Sequence, residues 1–259
     1  MNTTNYLKTN QGRKIAYNQI SGTGVGVVFL GGFKSDMAGT KALFLEDWAK
    51  KNKRPFLRFD YSGHGQSSEK FLDGCISKWK QDALEVIETL TVGPQILVGS
   101  SMGGWIALII AKEKPGIVCG LVGIATAPDF TEDSMWSSFS EVQKKELVKN
   151  GFLNLPSEYD DEPYIITKKL IQDGRKQLIF KSPLKLNFPC RFLQGTADLD
   201  VDVSVALKII NHIEGPDVRL TLVKNVDHRF SSPSNLNLIT KTIHSVTKAA
   251  ERSQNENIW

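Results

Sequence analysis

Three cysteines, four histidines and no apolar run of membrane-spanning length leave this 259-residue chain without several kinds of equipment. Cys75, Cys119 and Cys190 are an odd number and lack metal-site spacing, so neither a metal centre nor a disulfide framework is expected. Cys119 and Cys190 fall in or beside predicted strands and read as small core residues. The longest apolar stretches have the length of a buried strand or helix, which argues against an integral membrane segment. No block of five like charges occurs and the net charge is only +4, with lysines and acids interspersed. That pattern suits solubility and not a nucleic-acid footprint. Residues Met1–Lys8 show neither an apolar signal core nor an arginine-rich leader, and no repeat or low-complexity segment follows. The expectation is a cytoplasmic protein in a reducing compartment. What is present is ordinary for a one-domain globular enzyme: 41% hydrophobic and 23% charged residues.

The most informative segment is Gly99-Ser100-Ser101-Met102-Gly103-Gly104. Pro94–Val98 before it reads as a buried strand, and Trp105–Ala111 after it reads as a helix ended by Pro115-Gly116. Strand, G-x-S-x-G, helix is the pattern of the nucleophile elbow in α/β-hydrolases. A turn that tight leaves no room for side chains two residues before and after the serine. Gly99 and Gly103 meet that demand, and Ser101 is expected to project above the sheet edge.

The rest of the chain alternates strand and helix. Tyr6–Ile20 reads as a hairpin about Asn10-Gln11-Gly12, and Val25–Leu30 as a buried strand entering Gly31-Gly32-Phe33. A helix is predicted from about Met37 to Lys51, a strand over Pro55–Asp60, and a glycine-rich loop over Tyr61–Ser67. Trp79–Leu90 has helical spacing, with Trp79, Ala83, Val86, Ile87 and Leu90 on one side. Ile117–Ile124 and Cys190–Gln194 read as strands, Val203–Ile213 as a helix and Val218–Val223 as a strand. A closing helix starts near Asn235 and Ser253–Asn257 reads as a frayed tail. This order implies a mostly parallel sheet covered by helices on both faces. The regularity breaks over residues 129–180, which read as a helical cap without strands, inserted into a core made of 1–128 and 181–259. The cap carries Phe130, Met135, Trp136, Phe139, Phe152, Leu153, Leu155, Tyr159 and Tyr164. Most should form its own small core, and the remainder an apolar wall facing Ser101.

A serine hydroxyl needs a base, and the base an orienting acid, in the chain order Ser, Asp/Glu, His. His212 and His244 lie on predicted helices and His64 precedes the serine. His228, in Asp227-His228-Arg229 after the last strand, is therefore the candidate base, the plain alternative being a loop histidine without a role. Asp198 comes first after the Gly195 turn and is chosen as the acid over Asp200. Asp200 and Asp202 stand where acids cap the next helix. Asp227 adjoins the histidine and should point elsewhere. The backbone N–H groups of Met102 and Phe33 are the candidate oxyanion donors, Gly31-Gly32 allowing close approach. Read as a plain turn, that glycine pair would have no such role.

Several segments resemble the abhydrolase-domain-containing protein 10 type of serine hydrolase, a mitochondrial acyl-protein thioesterase in animals, and its bacterial relatives. They are Gly39–Leu43, Arg58–Gly63, Lys78–Lys80, Gly93–Ser101, Gly104-Trp105 and Asp227–Arg229. The resemblance implies hydrolysis of acyl thioesters and of carboxylic or acyl-glucuronide esters, with Ser101, Asp198 and His228 at the triad positions. Two departures stand out: Gln194 where a histidine often precedes the glycine, and Asp202 where a proline usually begins the helix. The expected protein is a serine hydrolase acting on small-molecule or acyl-protein esters or thioesters, with no metal or organic cofactor required. A C–C bond hydrolase, a small peptidase and a ligand receptor without turnover remain alternatives on the same fold.

Overall fold

Strands built almost entirely of apolar residues can be buried on both faces, and their alternate side chains then feed two separate cores. The computed structural model, which describes residues 4–155 and 164–256, is organised in that way. Strands β1 (Asn5–Lys8), β2 (Lys14–Ile20), β3 (Val27–Leu30), β4 (Phe56–Phe59), β5 (Gln95–Ser100) and β6 (Val118–Ile124) belong to one sheet. The strands β7 (Phe152–Leu155), β8 (Tyr164–Thr167) and β9 (Leu184–Lys185) lie outside it, and β10 (Cys190–Gly195) rejoins it. β11 (Ile213–Glu214) pairs β9, and β12 (Val218–Val223) ends the large sheet. The order is β1-β2-β4-β3-β5-β6-β10-β12, antiparallel at β1/β2 and β2/β4 and parallel thereafter.

Helices α1 (Thr40–Lys51), α2 (Ile76–Leu90) and α3 (Met102–Glu113) alternate with the early strands. One core joins Val28, Leu30 and Leu97 to Trp79 of α2 and Trp105 of α3. The other joins Val27, Phe29, Ile96 and Val98 to Leu45 of α1. In α3 every residue from Met102 to Ala111 is buried, so it lies inside the protein and not on a surface.

The predicted helix at Met37 begins instead at Thr40, because the Met37 N–H donates to Asp60 Oδ1 (2.6 Å) and Gly39 is extended. The helix predicted from Trp79 starts at Ile76, one turn earlier on the same buried stripe. The segment between β6 and β10 holds a π-helical turn (Thr131–Trp136), α4 (Glu141–Asn150), β7, β8 and α5 (Lys168–Gly174).

The expectation of no strand in this segment is corrected: β7 and β8 pair antiparallel. Four residues of alternation per strand are too few to signal themselves: Leu153 and Ile166 are buried with Phe139, Leu147 and Ile171, and only the half-buried Leu155 and Tyr164 join them from the same two strands. Phe130 instead packs on the larger core and Phe152 is exposed; Tyr159 lies outside the described residues.

After α6 (Val203–His212), the last helix α7 (Pro233–Glu256) fixes Ile239, Ile243, Val246 and Ala250 against the sheet. It runs through Glu256 where fraying was expected, and the Ser253 Oγ–H in its last turns bonds the Ala249 carbonyl. Asn257 lies outside the described residues. No helix among the described residues is long and apolar enough to cross a membrane.

Candidate active site

The turn between β5 and α3 puts Ser101 at φ 54°, ψ −118°, a conformation costly for a non-glycine residue. It persists because the surrounding backbone grips it. The Ser101 N–H donates to the Ile124 carbonyl (2.9 Å), and the Ser101 carbonyl accepts from Gly104 (2.9 Å) and Ala127 (3.2 Å). A Cβ on Gly99 would stand 2.5 Å from the Gly103 carbonyl oxygen, and one on Gly103 2.1 Å from that of Leu30. Both glycines are therefore required by contact, as the tightness of the turn demands.

Parallel pairing of β10 with β12 brings the loops after these strands side by side. The Ala197 N–H donates to the Val226 carbonyl (3.0 Å), and the Asn225 N–H to Thr196 Oγ1 (2.9 Å). Asp198 and His228 are thereby joined: Nδ1 of the imidazole lies 2.9 Å from Asp198 Oδ2, and its Nε2 lies 3.2 Å from Ser101 Oγ.

Asp198 is buried, and its oxygens also accept from the N–H groups of Asp200 (3.0 Å) and Val201 (2.9 Å) and from Gln194 Nε2 (2.9 Å). Burial works against the charged carboxylate, but His228 and these donors outweigh it and hold its pKa below the usual range. Asp198, Asp200 and His228 offer donor atoms within 4.8 Å of one another. The Asp198 oxygens and His228 Nδ1 are already engaged with each other, and N–H donors face both oxygens, a surrounding suited to an anion and not to a cation.

The structure separates the remaining predicted residues. Asp202 caps α6 through the Ser204 N–H (2.8 Å). Asp200 does not share that role; it contributes its N–H to Asp198. Asp227 Oδ1 accepts the Phe230 N–H (3.2 Å), and the hydrogen bonds of the His228 imidazole go to Asp198 and Ser101. His212 lies at the end of α6 against the carbonyls of Ile179 and Ser182, and His244 is exposed on α7. Lys41 of α1 donates to the Arg229 carbonyl beside His228, and burial lowers its pKa to about 8 despite the attraction of Asp227.

Met102 supplies the first N–H of α3, one of those a helix leaves unpaired. The loop after β3 passes against the serine: a Cβ on Gly32 would lie 3.5 Å from that of Ser101. Phe33 follows, half-buried, with ring centroids 4.9 Å from Phe71, 5.7 Å from Phe130 and 6.0 Å from Tyr164. These rings form an apolar wall shared by the core and the 129–180 segment, and the Lys34 ammonium lies 3.8 Å from the Tyr164 ring centre.

Sequence reading noticed Gln194 only as a departure from a family pattern and His64 only as a histidine on the wrong side of the serine. The available signals were an amide near the end of a strand, four residues before Asp198, and an imidazole flanked by Gly63 and Gly65.

A serine on a strand–helix elbow, with histidine and acid on later loops of a mostly parallel sheet, defines an α/β-hydrolase of the serine type. The family model described as serine aminopeptidase S33 matches residues 26–169. The palmitoyl-protein thioesterase ABHD10 of Rattus norvegicus, a mitochondrial protein, is 35% identical over 242 residues, 93% of this chain and 81% of its own length. A crystal structure of a hydrolase from Agrobacterium vitis S4 superposes with TM-score 0.89 at 39% identity, covering 95% of this chain and 98% of that one. For mouse alpha/beta hydrolase domain-containing protein 10 the TM-score is 0.88 at 33% identity, with the same coverage. The chain belongs to the α/β-hydrolase family, in the group of abhydrolase-domain-containing protein 10. It is a serine hydrolase of esters or thioesters.

Proposed function

We propose that Ser101 attacks the acyl carbonyl, that His228 takes its proton and returns it to the leaving alcohol or thiol, and that Asp198 orients the imidazole. The Phe33 and Met102 N–H groups bind the oxyanion, and water then releases the acyl group by the same route in reverse. One observation supports this above others: the unbroken chain from Ser101 Oγ through both imidazole nitrogens to the Asp198 carboxylate. The lowered pKa of that carboxylate keeps it charged opposite the imidazolium that forms during attack.

Residues 129–180 act as a cap, and the wall of Phe33, Phe130 and Tyr164 receives the acyl chain. An acyl thioester, carried by a small molecule or a protein, suits both this wall and the thioesterase names of the relatives. The test is fluorophosphonate labelling with steady-state turnover of esters, thioesters and amino-acid anilides. Labelling at Ser101 and turnover of acyl substrates are expected. Preference for the anilides would favour a peptidase, and labelling without turnover a receptor. A cytoplasmic location is supported by three unpaired thiols, which suit any reducing compartment; cell fractionation separates cytosol from the mitochondrial location named for the relatives.

A further inference from the structure

We infer that His64 is a positioning residue for the oxyanion-binding loop: its Nε2 accepts the N–H of Lys34, the residue after Phe33, and so holds the turn that carries the Phe33 donor. The inference rests on the roles proposed above for Ser101 and Phe33. The Lys34 N–H lies 3.3 Å from His64 Nε2, and His64 Nδ1 lies 3.3 Å from the Ser62 carbonyl. A carbonyl only accepts, so the proton belongs on Nδ1, and that tautomer leaves Nε2 free to accept from Lys34. The two contacts require each other.

The imidazole has no other place to go. It is buried, with ring centroids 5.6 Å from Tyr61 and 5.1 Å from both Phe71 and Trp79. Burial lowers its pKa to about 4, so at neutral pH it stays uncharged and keeps its acceptor. Ser62 is itself fixed: its N–H (2.9 Å) and Oγ–H (2.6 Å) donate to Asp82, and its carbonyl also accepts from Trp79 Nε1 (3.0 Å). Asp82 in turn pairs with Arg13 at 2.6 Å. An anchored line therefore runs from the first hairpin to the loop beside the nucleophile.

The loop needs such an anchor. Lys34 has φ +58°, a region that favours glycine, and nothing intrinsic to lysine would hold it there. Oxyanion donors act only when already aimed at the developing charge, so a turn free to relax loses catalysis before it loses substrate binding.

The test compares His64→Phe, which keeps a ring but removes the acceptor, with His64→Gln, which restores an acceptor near Nε2. In His64→Phe, kcat on p-nitrophenyl butyrate should fall about 10- to 100-fold, the scale of a weakened oxyanion donor. KM should stay within about twofold. Inhibition by a trifluoromethyl ketone, whose adduct bears the oxyanion, should weaken in step with kcat/KM, and His64→Gln should regain most of both. Equal losses in the two variants, or a raised KM at unchanged kcat, would overturn the inference. A second measurement needs no variant: long-range proton–nitrogen NMR of the native enzyme should find the His64 proton on Nδ1, and a proton on Nε2 overturns it. If the native enzyme is not labelled by fluorophosphonate at Ser101, the parent reading fails and takes this one with it. A labelled native enzyme with fully active His64→Phe removes this one alone.

Discussion

The sheet around the elbow and the segment from 129 to 180 are held together in different ways. Around Ser101, backbone meets backbone: the glycines at 99 and 103 touch main-chain atoms, and the serine's own peptide groups are bonded to β6 and the turn after it. In the inserted segment, five buried side chains form a small cluster of their own: Phe139, Leu147, Leu153, Ile166 and Ile171. On the proposed reading, the chemistry is carried where geometry is over-determined, and substrate choice falls to the segment with a small core of its own.

The sharpest way to break this contrast is Ser101→Ala. Turnover should fall by about 10⁴-fold or more while the melting temperature stays close to native, because the elbow depends on glycines and main chain and not on the hydroxyl. Ester activity equal to the native enzyme in pure Ser101→Ala protein would move attention to Ser100. Next comes Asp198→Asn, with a loss of about 10⁴-fold expected from the wrong imidazole tautomer. Asp200→Asn should leave kcat nearly intact, since that residue gives Asp198 a backbone N–H, and Asp202→Asn should lower only the melting temperature.

The inserted segment should respond in the opposite sense. Leu153→Ala ought to cost about 2–5 kcal/mol of local stability, as buried leucines do. Hydrogen exchange would find that loss in α4, β7, β8 and α5, with acetyl-ester turnover retained. A global loss of activity would show that the two regions are not separable.

A pH effect sharpens the core side. Since His64 titrates near 4 when folded against 6.5 unfolded, the unfolded chain takes up the proton first as pH falls. Its contribution is complete above pH 6.5 and lost progressively towards pH 4, about 3 kcal/mol in all. Urea melts at pH 7 and 4.5 should therefore differ less in His64→Gln than in the native protein. The smallest expected increments belong to the acyl wall: about 0.8 kcal/mol per methylene, so that kcat/KM on p-nitrophenyl esters rises from acetyl to at least butanoyl or hexanoyl. A profile that peaks at acetyl would indicate a small pocket and argue against long-chain thioesters.

Legibility in the sequence followed the same division. Gly99, Ser101 and Gly103 could be read because a tight turn imposes residue types at fixed spacing, and His228 because it is the one histidine in the loop between the last strand and the closing helix. Asp198 could be separated from Asp200 by its distance from the strand end. The pairing of β7 with β8 stayed hidden, since two inward residues on each four-residue strand are not a periodicity. Gln194 and His64 stayed hidden for another reason. Their partners, the Asp198 carboxylate and the Lys34 N–H, are met through folding, and an amide or an imidazole announces no partner by itself.

The three cysteines have a practical consequence. Cys75, Cys119 and Cys190 are all buried and unpaired, and burial raises each thiol's pKa, that of Cys119 to about 12. Thiolate, the species that reacts with aromatic disulfide reagents, is therefore scarce and inaccessible in the native enzyme. In a cuvette of acyl thioester and enzyme, the colour developed by such a reagent would count released product alone. The enzyme would be spectroscopically silent towards the dye that times it.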